Sequence, residues 1–139
     1  MSAPATVSVR HLGGDRLGIR VRGHRLESDQ PVESGGGDTA PTPTELFLAG
    51  LAGCVAFYAE RFLRRHGLDP EGLAVSCEHT WASYPTRVGE IDLTVDAPSL
   101  TPERYEAFCR VIEHCPVHDT LRQPPEVRLR VIPAAIEAL

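Results

Sequence analysis

Thr42-Pro43-Thr44-Glu45-Leu46-Phe47-Leu48-Ala49-Gly50-Leu51-Ala52-Gly53-Cys54-Val55-Ala56-Phe57-Tyr58-Ala59, running on to Arg64-Arg65-His66-Gly67, reads as one long helix with both ends marked. Thr42 is a side-chain cap and Pro43 fits the first helical position. Glu45, three residues after the cap, completes a capping box. The basic last turn and Gly67 mark the stop. From Leu46 to Ala59 the side chains are apolar nearly all round, which predicts burial on most sides. A small domain has little material to surround such a helix, and a partner subunit could supply the rest.

Upstream, Thr6 to His11, Leu17 to Val21 and Arg25 to Ser28 read as short strands separated by Gly13-Gly14-Asp15 and Gly23. Asp29 to Ala40 is a polar loop with Gly35-Gly36-Gly37 at its centre, long enough to be a functional segment and read here as flexible. It lacks the lysine and the strand-helix setting of a phosphate loop. Downstream, Val75, Cys77, His79 and Trp81 share one face of a strand. Ile91, Leu93 and Val95 share a face of the next, with Glu90, Asp92, Thr94 and Asp96 opposite.

Thr101-Pro102 opens a second helix whose stripe of Tyr105, Phe108, Cys109 and Ile112 extends to Cys115, where Pro116 interferes with continuation. A last strand, Glu126 to Ile132, alternates Val127, Leu129 and Val131 with Arg128 and Arg130. This order of elements predicts an α+β fold with a largely antiparallel sheet.

The 139 residues suit a single domain, 1–139, with one core. A net charge of -5 argues against nucleic acid or an anionic membrane as the main partner. All 14 basic residues are arginine, so no lysine is available for Schiff-base chemistry. The N-terminus lacks the pattern of a signal peptide. The longest uncharged run, residues 46–59, is shorter than the roughly 20 residues that span a bilayer. A soluble, cytoplasmic protein is expected, with cysteines that are free or redox-active rather than permanent staples.

Of the four cysteines, Cys54 and Cys115 lie in distinctive surroundings. The first ends the small-residue run Ala49-Gly50-Leu51-Ala52-Gly53, and the second sits in His114-Cys115-Pro116-Val117-His118. Read alone, each is more readily a buried core residue than a functional one. Cys77 and Cys109 sit on apolar faces and are assigned to the core. His114, Cys115 and His118 have no second ligand pair at zinc-site spacing, so His118 is read as a local hydrogen-bonding group.

Two segments change the weight given to the first pair. Residues 39–54 resemble the first signature of the OsmC/Ohr family, and Glu113 to Leu121 resembles the second; the order of elements agrees over most of the chain. The resemblance implies an intertwined homodimer with two central long helices packed with shared, largely antiparallel sheets. It implies a cysteine-based peroxidase without metal, haem or other cofactor. Cys54 corresponds to the peroxidatic cysteine and Cys115 to the resolving one. The family's glutamate falls near Glu45. Its N-terminal arginine is assigned to Arg25, with Arg16, Arg20 and Arg22 as alternatives.

An organic hydroperoxide is the implied substrate, and a lipoyl-type dithiol or small thiol the implied reductant. The acid in Pro43-Thr44-Glu45 stands one position later than in the hydroperoxide-resistance members, closer to the broader OsmC-like group. A non-catalytic dimer that binds a small ligand or senses oxidation is the alternative.

Peroxide reduction requires a thiolate, which becomes a sulfenic acid, and a second thiol to close a disulfide before further oxidation. Mid-helix Cys54 is too far from its helix N-terminus to benefit from the dipole, so it needs a cation such as arginine. Glu45, nine residues earlier, falls on the opposite helix face and about 13 Å along the axis. It is read both as a helix cap and as a catalytic residue.

Overall fold

The structure, a computed structural model, describes residues 5–134. Three short strands, β1 (Val7–Gly13), β2 (Arg16–Val21) and β3 (His24–Ser28), form an antiparallel sheet in sequence order. A single 3-10 turn, Val32–Ser34, interrupts the loop that leads to helix α1 (Pro43–Arg65). Strands β4 (Ala74–Ala82) and β5 (Arg87–Asp96) form an antiparallel hairpin. A 3-10 turn, Pro102–Arg104, then feeds α2 (Tyr105–Ile112), and α3 (Pro116–Arg122) follows.

Helix α1 starts as its sequence predicts. Thr42 Oγ1 accepts from the Glu45 N–H at 3.1 Å while Glu45 Oε1 accepts from the Thr42 N–H at 2.8 Å. Its buried stripe is Leu48, Leu51, Val55, Ala59, Phe62 and Leu63, the three- and four-residue spacing of one helical face. The distal half packs Ala59, Phe62 and Leu63 on Phe108 of α2, with Leu68, Leu73 and Val95 around them. The Phe62 and Phe108 rings meet edge to face at 5.4 Å.

The opposite face of α1 is uncovered: Phe47 is 41% and Phe57 49% exposed. By length and composition this helix could cross a membrane, and 33% of its most apolar stretch is buried within one chain.

Three expectations need correction. The second helix is not continuous to Cys115: α2 ends at Ile112, and Cys115 is the N-cap of α3. Proline bars helical geometry to the residue before it yet suits the first position of a new helix. Cys115 is accordingly extended, with φ -70° and ψ 149°. Residues 126–132 make no ladder, leaving Val127, Leu129 and Val131 at 79%, 94% and 85% exposure. An alternating pattern predicts a strand only where an edge is available to pair with it.

The glycine loop is the third correction, because its hydrogen bonds hold it in place. Asp29 and Ser28 are buried at 1% exposure, and a Cβ on Gly36 would collide with the Gln30 carbonyl. The Asp29 carboxylate accepts from Thr39 Oγ1 at 2.7 Å, Thr39 N at 3.0 Å and Gln30 N at 2.8 Å. Ser28 Oγ and Asp29 N both donate to the Pro41 carbonyl, at 2.9 and 3.1 Å, tying the first sheet to the start of α1.

That first sheet otherwise stands apart, since no residue of β1–β3 belongs to either core cluster. The chain exposes 10911 Å². A compact monomer of 15.2 kDa exposes about 7,100 Å², so the surplus is roughly 3,800 Å².

Candidate redox site

Helix α1 packs against β4, α2 and α3, and this packing joins the two cysteines that sequence separates widely. Leu51, Val55 and Cys115 form one buried cluster. Cys54 and Tyr58 pack on it from α1, Val75, Ile91, Leu93 and Val95 from the hairpin, and Ile112 and Val117 from either side of the Cys115 turn. Cys115 is 0% exposed and Cys54 half-buried; both are free thiols. Cys54 thus packs against the buried cluster that holds Cys115.

The site's electrostatics are those of an apolar pocket. Burial pushes the Cys115 thiol up, and the neighbouring Cys54 adds to that shift. The His118 N–H, 3.4 Å from Cys115 Sγ, works in the opposite direction. His118 therefore acts through its backbone. Beside it, His114 Nδ1 lies 3.3 Å from Asp119 Oδ1 and 3.3 Å from Arg122 Nη1, an exposed cluster. Its mixed spacing across the α2–α3 break gave no sequence signal.

The remaining expected site residues lie elsewhere. Glu45 is engaged in the α1 cap. Arg25 stands directly across from Arg20 on the first sheet, lining a cavity of about 590 Å³ with Arg10, Leu12 and Leu26 and with no residue of α1. Arg16 pairs with Glu27 at 3.0 Å and lines a second cavity, of about 680 Å³, with Thr39, Pro41 and Leu46. Arg16 is thus the candidate arginine that shares a cavity with the first turn of α1. Neither cavity is lined by Cys54 or Cys115.

Cys77 and Cys109 are half-buried and outside both clusters. Burial, with Asp92 nearby, raises the Cys77 thiol. Among the described residues no three His, Cys, Asp or Glu side chains gather in an arrangement suited to a metal ion.

One long helix bearing a thiol, set against a second thiol that caps another helix and flanked by antiparallel sheets, defines an α+β dithiol protein. A family model described as OsmC-like protein matches residues 35–130, and the chain belongs to that family.

The solved structures agree on the fold. A Psychrobacter arcticus 273-4 protein, provisionally described as an osmotic stress induced and detoxification response protein, superposes with TM-score 0.77 at 23% identity, over 86% of this chain and 90% of its own. An organic hydroperoxide resistance protein OsmC from Legionella pneumophila gives 0.65 at 23%, over 87% and 92%. The organic hydroperoxide resistance protein OhrB of Bacillus subtilis gives 0.62 at 21%, over 88% and 93%. No curated protein sequence matches the chain.

Proposed function

We propose that this OsmC-family protein is a cytoplasmic, thiol-dependent peroxidase that reduces organic hydroperoxides. The observation that carries the reading is the packing of Cys54 against the one buried apolar cluster that contains Cys115. The Cys54 thiolate attacks the outer peroxide oxygen, the O–O bond breaks, and the alcohol leaves with a proton. The resulting sulfenic acid is attacked by Cys115; water leaves and a disulfide forms. An external dithiol, of lipoyl type or a small thiol, returns both sulfurs to thiols by exchange.

The nucleophile needs a cation, and the cavities lined by Arg25 and by Arg16 within the chain do not include Cys54. We infer that a second copy supplies it from its N-terminal sheet, through Arg25 or Arg16, in an intertwined homodimer with the two α1 helices at its centre. The uncovered α1 face, the unpaired strand-like tail and the surplus surface support this assembly. The named functions of the hydroperoxide-resistance relatives agree with the substrate class.

The test is stopped-flow consumption of cumene hydroperoxide with a dithiol reductant. Wild type is expected to turn over and Cys54→Ser to fall to the uncatalysed background. Equal rates remove Cys54 from the reaction. Slow thiols of ordinary reactivity in the wild type would favour the non-catalytic ligand-binding or sensing dimer instead.

A further inference from the structure

We propose that His114 is a positioning residue for the resolving cysteine: with Asp119 and Arg122 it latches α3 to the end of α2 and so aims the Cys115 thiol for disulfide closure. This rests on the Cys54–Cys115 chemistry of the reading above. Cys115 stands at the pivot between two short helices, with ψ at 149° where a continuous helix would hold about -42°. Rotation there swings α3 against α2. It also moves the His118 N–H, which belongs to α3 and donates to Cys115 Sγ at 3.4 Å. The direction of the thiol therefore follows the setting of α3.

Packing alone holds that setting loosely. Helix α3 is only about two turns long, joins the Cys115 cluster through Val117, and buries none of its side chains completely. The latch spans the pivot. His114 belongs to the end of α2, its N–H donating to the Val111 carbonyl at 3.2 Å. Its ring Nδ1 lies 3.3 Å from Asp119 Oδ1 and 3.3 Å from Arg122 Nη1, both on α3. With a proton on Nδ1 the ring donates to Asp119, and without one it accepts from Arg122. One contact therefore crosses the pivot in either state. The Asp119 N–H also donates to the Cys115 carbonyl at 2.9 Å, which couples the latch to the cysteine itself. Latch and thiol lie in one chain, and neither needs to be open to solvent in the assembly.

In the closing step Cys115 gives up its proton and attacks the sulfur of the Cys54 sulfenic acid. The S–S bond forms as the S–O bond breaks, and the departing hydroxide takes that proton and leaves as water. The attack is directional, so a wandering α3 slows it while leaving the earlier attack of Cys54 on the peroxide untouched.

Quench-flow separates the two steps. Reduced protein is mixed with one equivalent of cumene hydroperoxide, quenched in acid over a time course, and weighed by mass spectrometry, which distinguishes thiol, sulfenic acid and disulfide. His114→Phe keeps a ring but removes both nitrogens. His114→Asn restores a donor and an acceptor at the level of Nδ1. Wild type and both variants are expected to consume peroxide at the same rate. The Phe variant should close the disulfide about threefold more slowly, with sulfenic acid accumulating, and the Asn variant at the wild-type rate. Unchanged closure in the Phe variant, an Asn variant as slow as Phe, or equal slowing of both steps overturns the proposal. A wild type that consumes no peroxide, or forms no Cys54–Cys115 disulfide, overturns the peroxidase reading and this inference with it.

Discussion

Glu45 and Asp29 are two carboxylates with separate structural duties. The Glu45 carboxylate is occupied by the Thr42 N–H, and it stands nine positions before Cys54 on the helix. Glutamine can make the same capping contact without charge. Glu45→Gln is therefore expected to keep the helix cap and the cumene hydroperoxide rate, whereas a large loss of rate would assign the charge a catalytic role. The Asp29 carboxyl is held down to about 2, first by the Thr39 hydroxyl and then by the Thr39 and Gln30 N–H groups.

A carboxyl lowered in the folded state stabilises it above the unfolded value, near 4, and loses that contribution as pH falls through the folded value. Asp29→Asn should lower the melting temperature at neutral pH. The gap from wild type should be full above about pH 4 and close toward about pH 2. Thermal melts across that range check it, and a gap independent of pH would count against the ionised cradle.

At the scale of elements, α1 was legible almost to the residue. Its capping box and Gly67 are local signals, acting within one turn of the backbone they terminate. The three N-terminal strands were legible for the same reason: alternation and glycine turns are short-range. The α2–α3 break was not, because Pro116 is at once a stop for one helix and a start for another, and only the packing of Ile112 and Val117 chooses.

The tail at residues 126–132 carried the right alternation, but a strand is a relation between two segments and the sequence names only one. The gathering of Cys54 and Cys115 in one cluster has no local signal in the sequence, because it depends on the packing of α1 on α3. Leu63, wholly buried beside Phe62 and Phe108, tests where stability resides. Leu63→Ala should cost about 2–5 kcal/mol in chemical denaturation. A cost near that of a surface substitution would mean that the cluster collapses to fill the gap.

For the whole molecule, the surface is out of proportion to the mass. The surface exceeds that of a compact monomer of this size by roughly 3,800 Å², several times the about 800 Å² that each partner gives to an interface of standard size. Its location matters as much as its size. One face of α1 offers Phe47 and Phe57 beside bare Gly50 and Gly53, so that another helix can approach closely at the glycines while the aromatic rings pack around it.

Among the described residues the first sheet is tied to the start of α1 through the hydrogen bonds of Ser28 and Asp29 to Pro41 and Thr39. Its strands stay outside the core clusters and able to lie against another chain. If that chain is a second copy, each redox site is completed by the other subunit's arginine, and assembly and activity must fail together. Phe57→Asp places an uncompensated charge on the shared helix face without touching the buried stripe. Light scattering on the wild type should give twice the chain mass, and the variant should shift toward a single chain with a parallel loss of peroxidase rate. A variant that dissociates yet keeps full activity would show that one chain contains a complete site and that no partner arginine is needed.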